Sequence, residues 1–364
     1  MNLDKLSTQA VALLRTLIST PSFSKSENET ASVLQHVLRE NGVAADRHLN
    51  NVWAKNLHYN SSKPTLLLNS HHDTVKPNAQ YTRNPFEADI HKGRLYGLGS
   101  NDAGASVVAL MACFLYFYGR ENLAFNIVFA ATAEEEISGA NGIECLLPLL
   151  GTIDFGIVGE PTGMNIAVAE KGLLVLDCEV KGASGHAARS EGVNAIHKAM
   201  VDLKWFRDFK FPLVSEVLGP VVMSVTMIQA GTQHNVVPDS CKFTVDVRTT
   251  DVCGTRYVLK TIQQHVACSV QPRSLRINPS AIDKSHPLVK VGQLLGCELY
   301  GSPTTSDQAL MPFPTIKMGP GESARSHTAD EFVLVQEVES GIQQYIDFLA
   351  TLHTHYETLA RPTQ

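Results

Sequence analysis

The stretch "LLLNSHHDTVKP", residues 66–77, runs three leucines and two polar residues into His71, His72 and Asp73. An apolar strand that ends this way has two explanations. It is a buried strand followed by an ordinary polar loop, or it is a strand that delivers ligands to one edge of a sheet. The stretch alone does not choose. A lone histidine is more often structural than a ligand, and a strand-end aspartate more often serves a turn.

Working outward, two further segments read as buried strands. They are "AFNIVFAATA" at 124–133 and "FGIVGEP" at 155–161, the former rich in β-branched and aromatic residues. Between the first two strands lies "AGASVVALMACFLYFYG", a long apolar helix with Gly104 near its start and Gly119 at its end. Upstream, residues 3–20 and 26–42 have helical periodicity, and Ser24 three residues before Glu27 fits a capping box. Strands separated by helices predict an α/β fold with a mostly parallel sheet covered on both faces. Ligands of such sheets sit beyond the carboxyl ends of the strands.

The pattern changes near residue 172. "LLVLDCEVKG" alternates like a half-buried strand, a helix follows from about Asn194, and two strands and another helix come next. That order fits a smaller α+β module of ferredoxin-like type. After "INPSAIDKSHPLVKV" the helix and strand pattern of the first part resumes. The expected division is therefore a catalytic domain at 1–171 and 280–364, with an inserted domain at 172–279.

Composition limits the rest. At 364 residues the chain is long for one core. With 44% hydrophobic and 18% charged residues it reads as an ordinary globular protein. Its net charge of −6 argues against nucleic acid or an anionic membrane as a partner. No apolar run approaches the roughly 20 residues of a membrane span, and the first 20 residues lack a signal-peptide core. The 7 cysteines form no CxxC pair, so neither a thiolate metal site nor a disulfide framework is expected. A cytoplasmic location is the expectation.

The acids and histidines at strand ends form an ordered set. His71 and Asp73 follow the first strand, and Asp102 sits in the glycine-rich "YGLGSNDAGAS". Glu134, Glu135 and Glu136 follow the second strand, Glu160 follows the third, and His327 lies in "GPGESARSHTADE". One edge of one sheet would gather them. The series "HHDTV", "GSNDAG", "TAEEE", "GEPT" and "RSHTADE" resembles the M20 family of di-zinc amidohydrolases and peptidases. Its nearest branch contains acetylornithine deacetylase and succinyl-diaminopimelate desuccinylase.

The resemblance implies specific roles. His71 is a ligand of one zinc and Asp73 supports its ring, while His72 has no assigned task. Asp102 bridges both metals, with a cis peptide after it. Glu136 and Glu160 each bind one metal, and His327 completes the second. Three carboxylates, two Zn2+ ions and a bridging hydroxide sum to neutral, and oxygen and nitrogen donors without thiolate suit catalytic zinc. Co2+ or Mn2+ are possible substitutes. Glu135 is the general base, although the run of three glutamates leaves Glu134 and Glu135 as an alternative register for base and ligand. In the inserted domain, "KGASGHAARSEGVNAI" places His186 as the oxyanion donor, "GTQHNVVPDS" places Asn235 against substrate, and "FTVDVRTT" places Arg248 on a substrate carboxylate. Without the resemblance Arg248 reads as a strand-surface arginine, and His234 is a bystander.

Two departures stand out. The first motif ends "DTVKP", where relatives often have proline straight after valine, and "SNDAGAS" lacks the Met-Lys common after the bridging aspartate. They bear on the substrate more than on the metals. The implied reaction is hydrolysis of an N-acyl-L-amino acid by a metal-held hydroxide. N-acetyl-L-ornithine, in arginine biosynthesis, is the first expectation. N-acetyl- or N-succinyl-citrulline, N-succinyl-ornithine, N-succinyl-diaminopimelate and dipeptides are the alternatives, and a homodimer through the inserted domain is implied. A non-catalytic binding relic of the same fold would be free to lose the base, which this chain retains in Glu135.

Overall fold

The computed structural model describes residues 2–189 and 191–360. The chain divides into two compact units. The first comprises Met1–Val168, Ile282–Tyr300 and Ser306–Gln364, and the second Ala169–Ala281 with Gly301–Thr305.

The first unit is built on a mixed sheet. In spatial order its strands are Ala45–His48, Asn51–Lys55, Asn126–Thr132, Thr65–His71, Phe155–Val158 and Thr315–Lys317, followed by Ile166–Glu170, where the chain leaves the unit. The four from Asn126–Thr132 to Thr315–Lys317 are parallel, and the flanking pairs are antiparallel. The parallel order expected from the sequence therefore holds for the centre of the sheet. Strands Thr65–His71 and Asn126–Thr132 are buried along their whole length, as parallel strands covered on both faces must be.

Helix Ala105–Phe117 lies against the parallel strands and is buried almost all round. With the turn before it, it forms an 18-residue segment of mean hydropathy 1.3, apolar enough to cross a membrane by composition. Yet 83% of that segment is buried inside the protein, so it serves as a core helix. Its close approach depends on Gly159, where an added Cβ would lie 2.9 Å from Ser106 Cβ and 3.1 Å from Ser70 Cβ. The parallel register sets His71 beside Thr132 and Asn69 beside Val158. The segments leaving these strands, with Glu134–Glu136 and Glu160, start from one edge.

The N-terminal helices are Leu3–Ile18 and Asn28–Glu40, each slightly shorter than expected. The expected capping box does not form. Glu27 is the N-cap and makes no side-chain cap, while Ser24 donates its hydroxyl to Asp73 instead.

The second unit is a four-stranded antiparallel sheet in the order Val222–Ala230, Ser240–Thr249, Gly172–Lys181, Ser269–Pro272. Gly172–Lys181 alternates buried and exposed residues as its sequence predicts. Its buried Leu174, Leu176, Cys178 and Val180 form a core with Phe206 of helix Ala195–Asp208 and Val258 and Ile262 of helix Thr255–His265. Asn194 caps the first of these helices by accepting from Ile196 N and His197 N. The short last strand was not foreseen, because four residues ending in proline give too little alternation to read.

Candidate metal centre

Each acid or histidine of the first unit is delivered by a local feature. His71 ends its strand, and its ring is buried. Asp102 lies in the turn Ser100–Gly104, and the Asp102–Ala103 peptide is cis. Glu135 and Glu136 open a one-turn helix directly after the strand Asn126–Thr132. Glu160 lies two residues past the strand Phe155–Val158. His327 sits in a loop with a left-handed backbone, φ 60°.

The side chains converge. His71 Nε2 lies 3.2 Å from Asp102 Oδ1, 3.7 Å from Glu160 and 3.8 Å from Glu135. His327 Nε2 lies 2.9 Å from Glu136 and 3.6 Å from Asp102 Oδ2. The two oxygens of Asp102 thus face different histidines. One side gathers His71, Glu160 and Asp102, and the other gathers His327, Glu136 and Asp102. Ligand atoms of His71, Asp102 and Glu136 fall within 4.8 Å of one another, as do those of His71, Glu135 and Glu160.

Electrostatics explain why such a cluster wants cations. Burial, reinforced by Asp102 against the pull of His71, pushes Glu160 up to about 8. Burial likewise drives Glu135 well above the carboxylate range, helped by Glu160, Asp307 and Glu136 and opposed by His71. Burial opposes a proton on His71, but the charge of Glu135 and hydrogen bonds to Asp102 and Asp73 outweigh it and raise the imidazole. His327 is raised to about 9, chiefly by its hydrogen bond to Glu136. Protein groups here take up protons because there is more negative charge than the two imidazoles neutralise. A buried oxygen of Glu136, Oε1, has no hydrogen-bond partner. An orphaned carboxylate oxygen among nitrogen and oxygen donors fits a hard or borderline divalent cation.

The supporting residues refine the sequence reading. Asp73 was expected to hold the free ring nitrogen of His71 through its carboxylate. The ring Nδ1 is instead closer to the backbone carbonyl of Asp73, at 3.0 Å, than to its carboxylate, at 3.4 Å. The carboxylate accepts from Ser24 Oγ at 2.7 Å, Glu135 N at 3.0 Å and Glu136 N at 3.2 Å. Asp73 therefore fixes the turn carrying both glutamates as well as the histidine. The three glutamates also point to different partners. Glu134 has φ 56° and turns its carboxylate to Asn141, whereas Glu135 and Glu136 face the histidines. His72 is buried between Thr30 Oγ1 and Asn50 O, each at 2.9 Å, and burial pushes it down to about 4.

Two buried carboxylates beside the cluster, Glu331 and Asp307, were missed. Glu331 accepts from the backbone of Gly99, Asn101 and Asp102, and burial raises it to about 8. Its signal was its place four residues after His327. Asp307 accepts from Asn69 Nδ2 and Thr132 Oγ1, between the two central strands. It follows no recognisable strand in the sequence, so nothing pointed to it.

The remaining predicted residues belong to the second unit. His186 is exposed in the short strand Gly185–His186, which pairs with Val236–Val237. Ala187 N donates to Asn235 O, so His186 and Asn235 are neighbours. Arg248 forks onto Asp246 at 2.8 and 3.0 Å, which engages two of its donors.

Known proteins are similar to this chain at low identity. A succinyl-diaminopimelate desuccinylase 2 of Ruegeria sp. (strain TM1040) is 25% identical over 370 residues, covering 91% of this chain and 91% of that protein. A probable carboxypeptidase of Ajellomyces capsulatus is 26% identical, covering 93% and 85%. In fold, a tripeptidase of Staphylococcus aureus matches with a TM-score of 0.75 at 20% identity, over 96% of this chain and 99% of that one. A dinuclear metal binding peptidase of the M20 family from Bacillus subtilis matches with a TM-score of 0.70 at 18% identity, over 96% and 98%. A family model described as Peptidase family M20/M25/M40 matches residues 67–351, the span that runs from the His71 strand past His327. The chain belongs to this family of metallopeptidases and amidohydrolases.

Proposed function

We propose that this protein hydrolyses the amide bond of an N-acyl-L-amino acid. The observation that carries the reading is Glu135. Its carboxylate stands 3.8 Å from His71, beyond hydrogen-bond length, beside a cluster in which Asp102 faces two histidines. In this reading His71, Glu160 and Asp102 would hold one zinc ion, and His327, Glu136 and Asp102 would hold a second, with cobalt or manganese as substitutes. Bound divalent ions supply Lewis acidity for the amide carbonyl and acidify water. Glu135 removes the proton from the attacking water and returns it to the leaving amine. Burial and the neighbouring carboxylates raise its carboxyl, which favours its carrying the proton between the two transfers. Asp73 keeps Glu135 and Glu136 on a fixed turn, so base and ligand move together.

By resemblance, His186 donates to the developing oxyanion, Asn235 contacts substrate, and Arg248 receives the substrate carboxylate on the donors that Asp246 leaves free. N-acetyl-L-ornithine is the first substrate of this reading. A second reading, N-succinyl-diaminopimelate, is favoured by relatives that carry the desuccinylase name across nine-tenths of both chains. A homodimer is supported by the edge strand Val222–Ala230, where Met227 and Ile228 are 55% and 54% exposed. Apolar edges of this kind are normally covered. The cysteines are all unpaired, which supports a reducing, cytoplasmic setting.

The test is amine release by zinc-loaded protein from acetyl-ornithine, acetyl-citrulline, their succinyl counterparts, N-succinyl-diaminopimelate and unblocked dipeptides. Turnover of an acylated amino acid with dipeptides untouched supports the proposal. Turnover of dipeptides alone refutes it and selects a dipeptidase.

A further inference from the structure

We propose that Glu331 is the positioning residue that fastens the Asp102 turn to the His327 loop, and so makes the His327–Glu136 half of the centre able to hold its ion. The inference rests on the metal-centre reading above and deepens it.

The two halves of the cluster are built differently. His71 ends a fully buried strand and Glu160 follows another, so the first half is carried by the sheet. The second half is carried by loops. The side chain of His327 is 54% exposed against 1% for His71, and its backbone is left-handed. Something other than the sheet must place it.

Glu331 is that something. Strand Arg94–Tyr96 pairs antiparallel with Phe332–Leu334, so the chain leaves Tyr96 towards Asp102 just where it arrives at Phe332 from His327. Gly97 N donates to the carbonyl of Glu331 at 3.0 Å and continues that pairing. The Glu331 carboxylate then grips the ligand turn itself. Oε1 accepts from Asn101 N at 2.8 Å and Asp102 N at 2.9 Å, and Oε2 accepts from Gly99 N at 3.2 Å. The side chain is buried, 2% exposed, and three backbone donors converge on it.

A second fastener closes the other side of His327. The Asn101 side chain accepts from Glu322 N at 2.9 Å and donates to Glu322 O at 3.1 Å and Ser326 Oγ at 3.4 Å. Asp330 accepts from Thr82 N and Arg83 N, both at 2.9 Å. His327 is therefore slung between Ser326 and Glu331, and both anchors end on the turn that carries Asp102. Loss of the Glu331 grip frees Asp102 and His327 from each other. The half that depends on both is weakened, while the half anchored by His71 and Glu160 keeps its sheet-borne ligands. Glutamine is a severe probe here, because its single oxygen replaces two and its amide points a donor at a donor.

The experiment strips the full-length protein with a chelator and titrates it with cobalt(II), followed by visible absorption and circular dichroism. Zinc stoichiometry is measured in parallel by mass spectrometry. Wild type should take two equivalents. Glu331→Gln should weaken the second by about 10- to 100-fold, with loss of its share of the cobalt absorption, and weaken the first, which shares Asp102 but keeps His71 and Glu160 on the sheet, by much less. Glu331→Asp, which keeps the carboxyl group and shortens the reach, should fall between. Two equivalents bound by Glu331→Gln as tightly as by wild type overturn the proposal, and so does equal weakening of both. If Glu331→Gln fails to fold, Glu331→Asp is judged by the same two criteria. Wild type that binds no metal sinks the metal-centre reading itself, which separates that failure from a failure of Glu331.

Discussion

Replacing Glu135 by glutamine tests the reaction most directly. The substitution keeps size and shape, so it opens no cavity in a site that is nearly closed to solvent, where the Glu135 side chain is 13% exposed. It also removes a negative charge from beside Glu160, Asp307 and Glu136, all of which raise the Glu135 carboxyl. The fold should therefore be no less stable, and the ligands of both ions remain. Only proton transfer is lost. A positioned base contributes about 100- to 10,000-fold. Because Glu135 serves both proton transfers of the proposed reaction, the expected loss is about a thousandfold or more in kcat, equivalent to roughly 4 kcal/mol in the barrier. Glu134→Gln is the paired control. Its carboxylate accepts from Asn141 Nδ2 at 2.9 Å, away from the histidines, so it should cost about 1 kcal/mol of stability and only a few-fold in activity. The assay is amine release under saturating substrate, with metal content and thermal melting measured on the same preparations. Glu135→Gln with wild-type metal content and more than a tenth of wild-type kcat would refute the assignment, and a larger loss in Glu134→Gln would move the base by one residue.

Three other outcomes are expected. His72 is held at about 4 by burial, against 6.5 when free, so the folded state binds fewer protons than the unfolded state between those values. Stability should be complete above pH 6.5 and fall by about 3 kcal/mol as the pH drops to 4, and denaturant melts of His72→Gln should lack that acid loss; parallel curves for the two proteins would contradict it. In chelated protein Glu160 and Glu331, both pushed up to about 8, keep protons that the unfolded chain has lost. The melting temperature of metal-free protein should accordingly fall from pH 6.5 to 8, with zinc restoring more at the higher pH, and a pH-independent zinc effect would count against the cluster. Ser24→Ala removes a hydroxyl that donates to Asp73 at 2.7 Å rather than a helix cap, so it should lower metal affinity and kcat as well as stability; a change in stability alone would return Ser24 to the capping role.

Much of the site was legible because its ligands obey the periodicity of the sheet. Each of His71, Glu135, Glu136 and Glu160 follows a strand that declares itself by apolar run length, and parallel strands bring their carboxyl ends together whatever the loops do. His327 and Asp102 gave a weaker signal. They sit in irregular backbone whose course is set by partners far away in sequence, and only the motif series linked them. The supporting groups were less legible still. Ser24 and Glu27 have the spacing of a capping box, but Asp73, 49 residues on, offers Ser24 a charged acceptor, and the hydroxyl donates there while the helix start has no side-chain cap. Glu331 shows the same limit from the other side. No local rule says that a glutamate before a short strand will receive three backbone amides of a turn some 230 residues earlier. What decides it is that a glycine-rich turn leaves its donors bare, and a buried carboxylate is the acceptor that satisfies several at once. Periodicity thus points to the strand-end groups of this candidate centre and the motif series adds Asp102 and His327, whereas the groups that set its geometry are found only by asking where each buried donor goes.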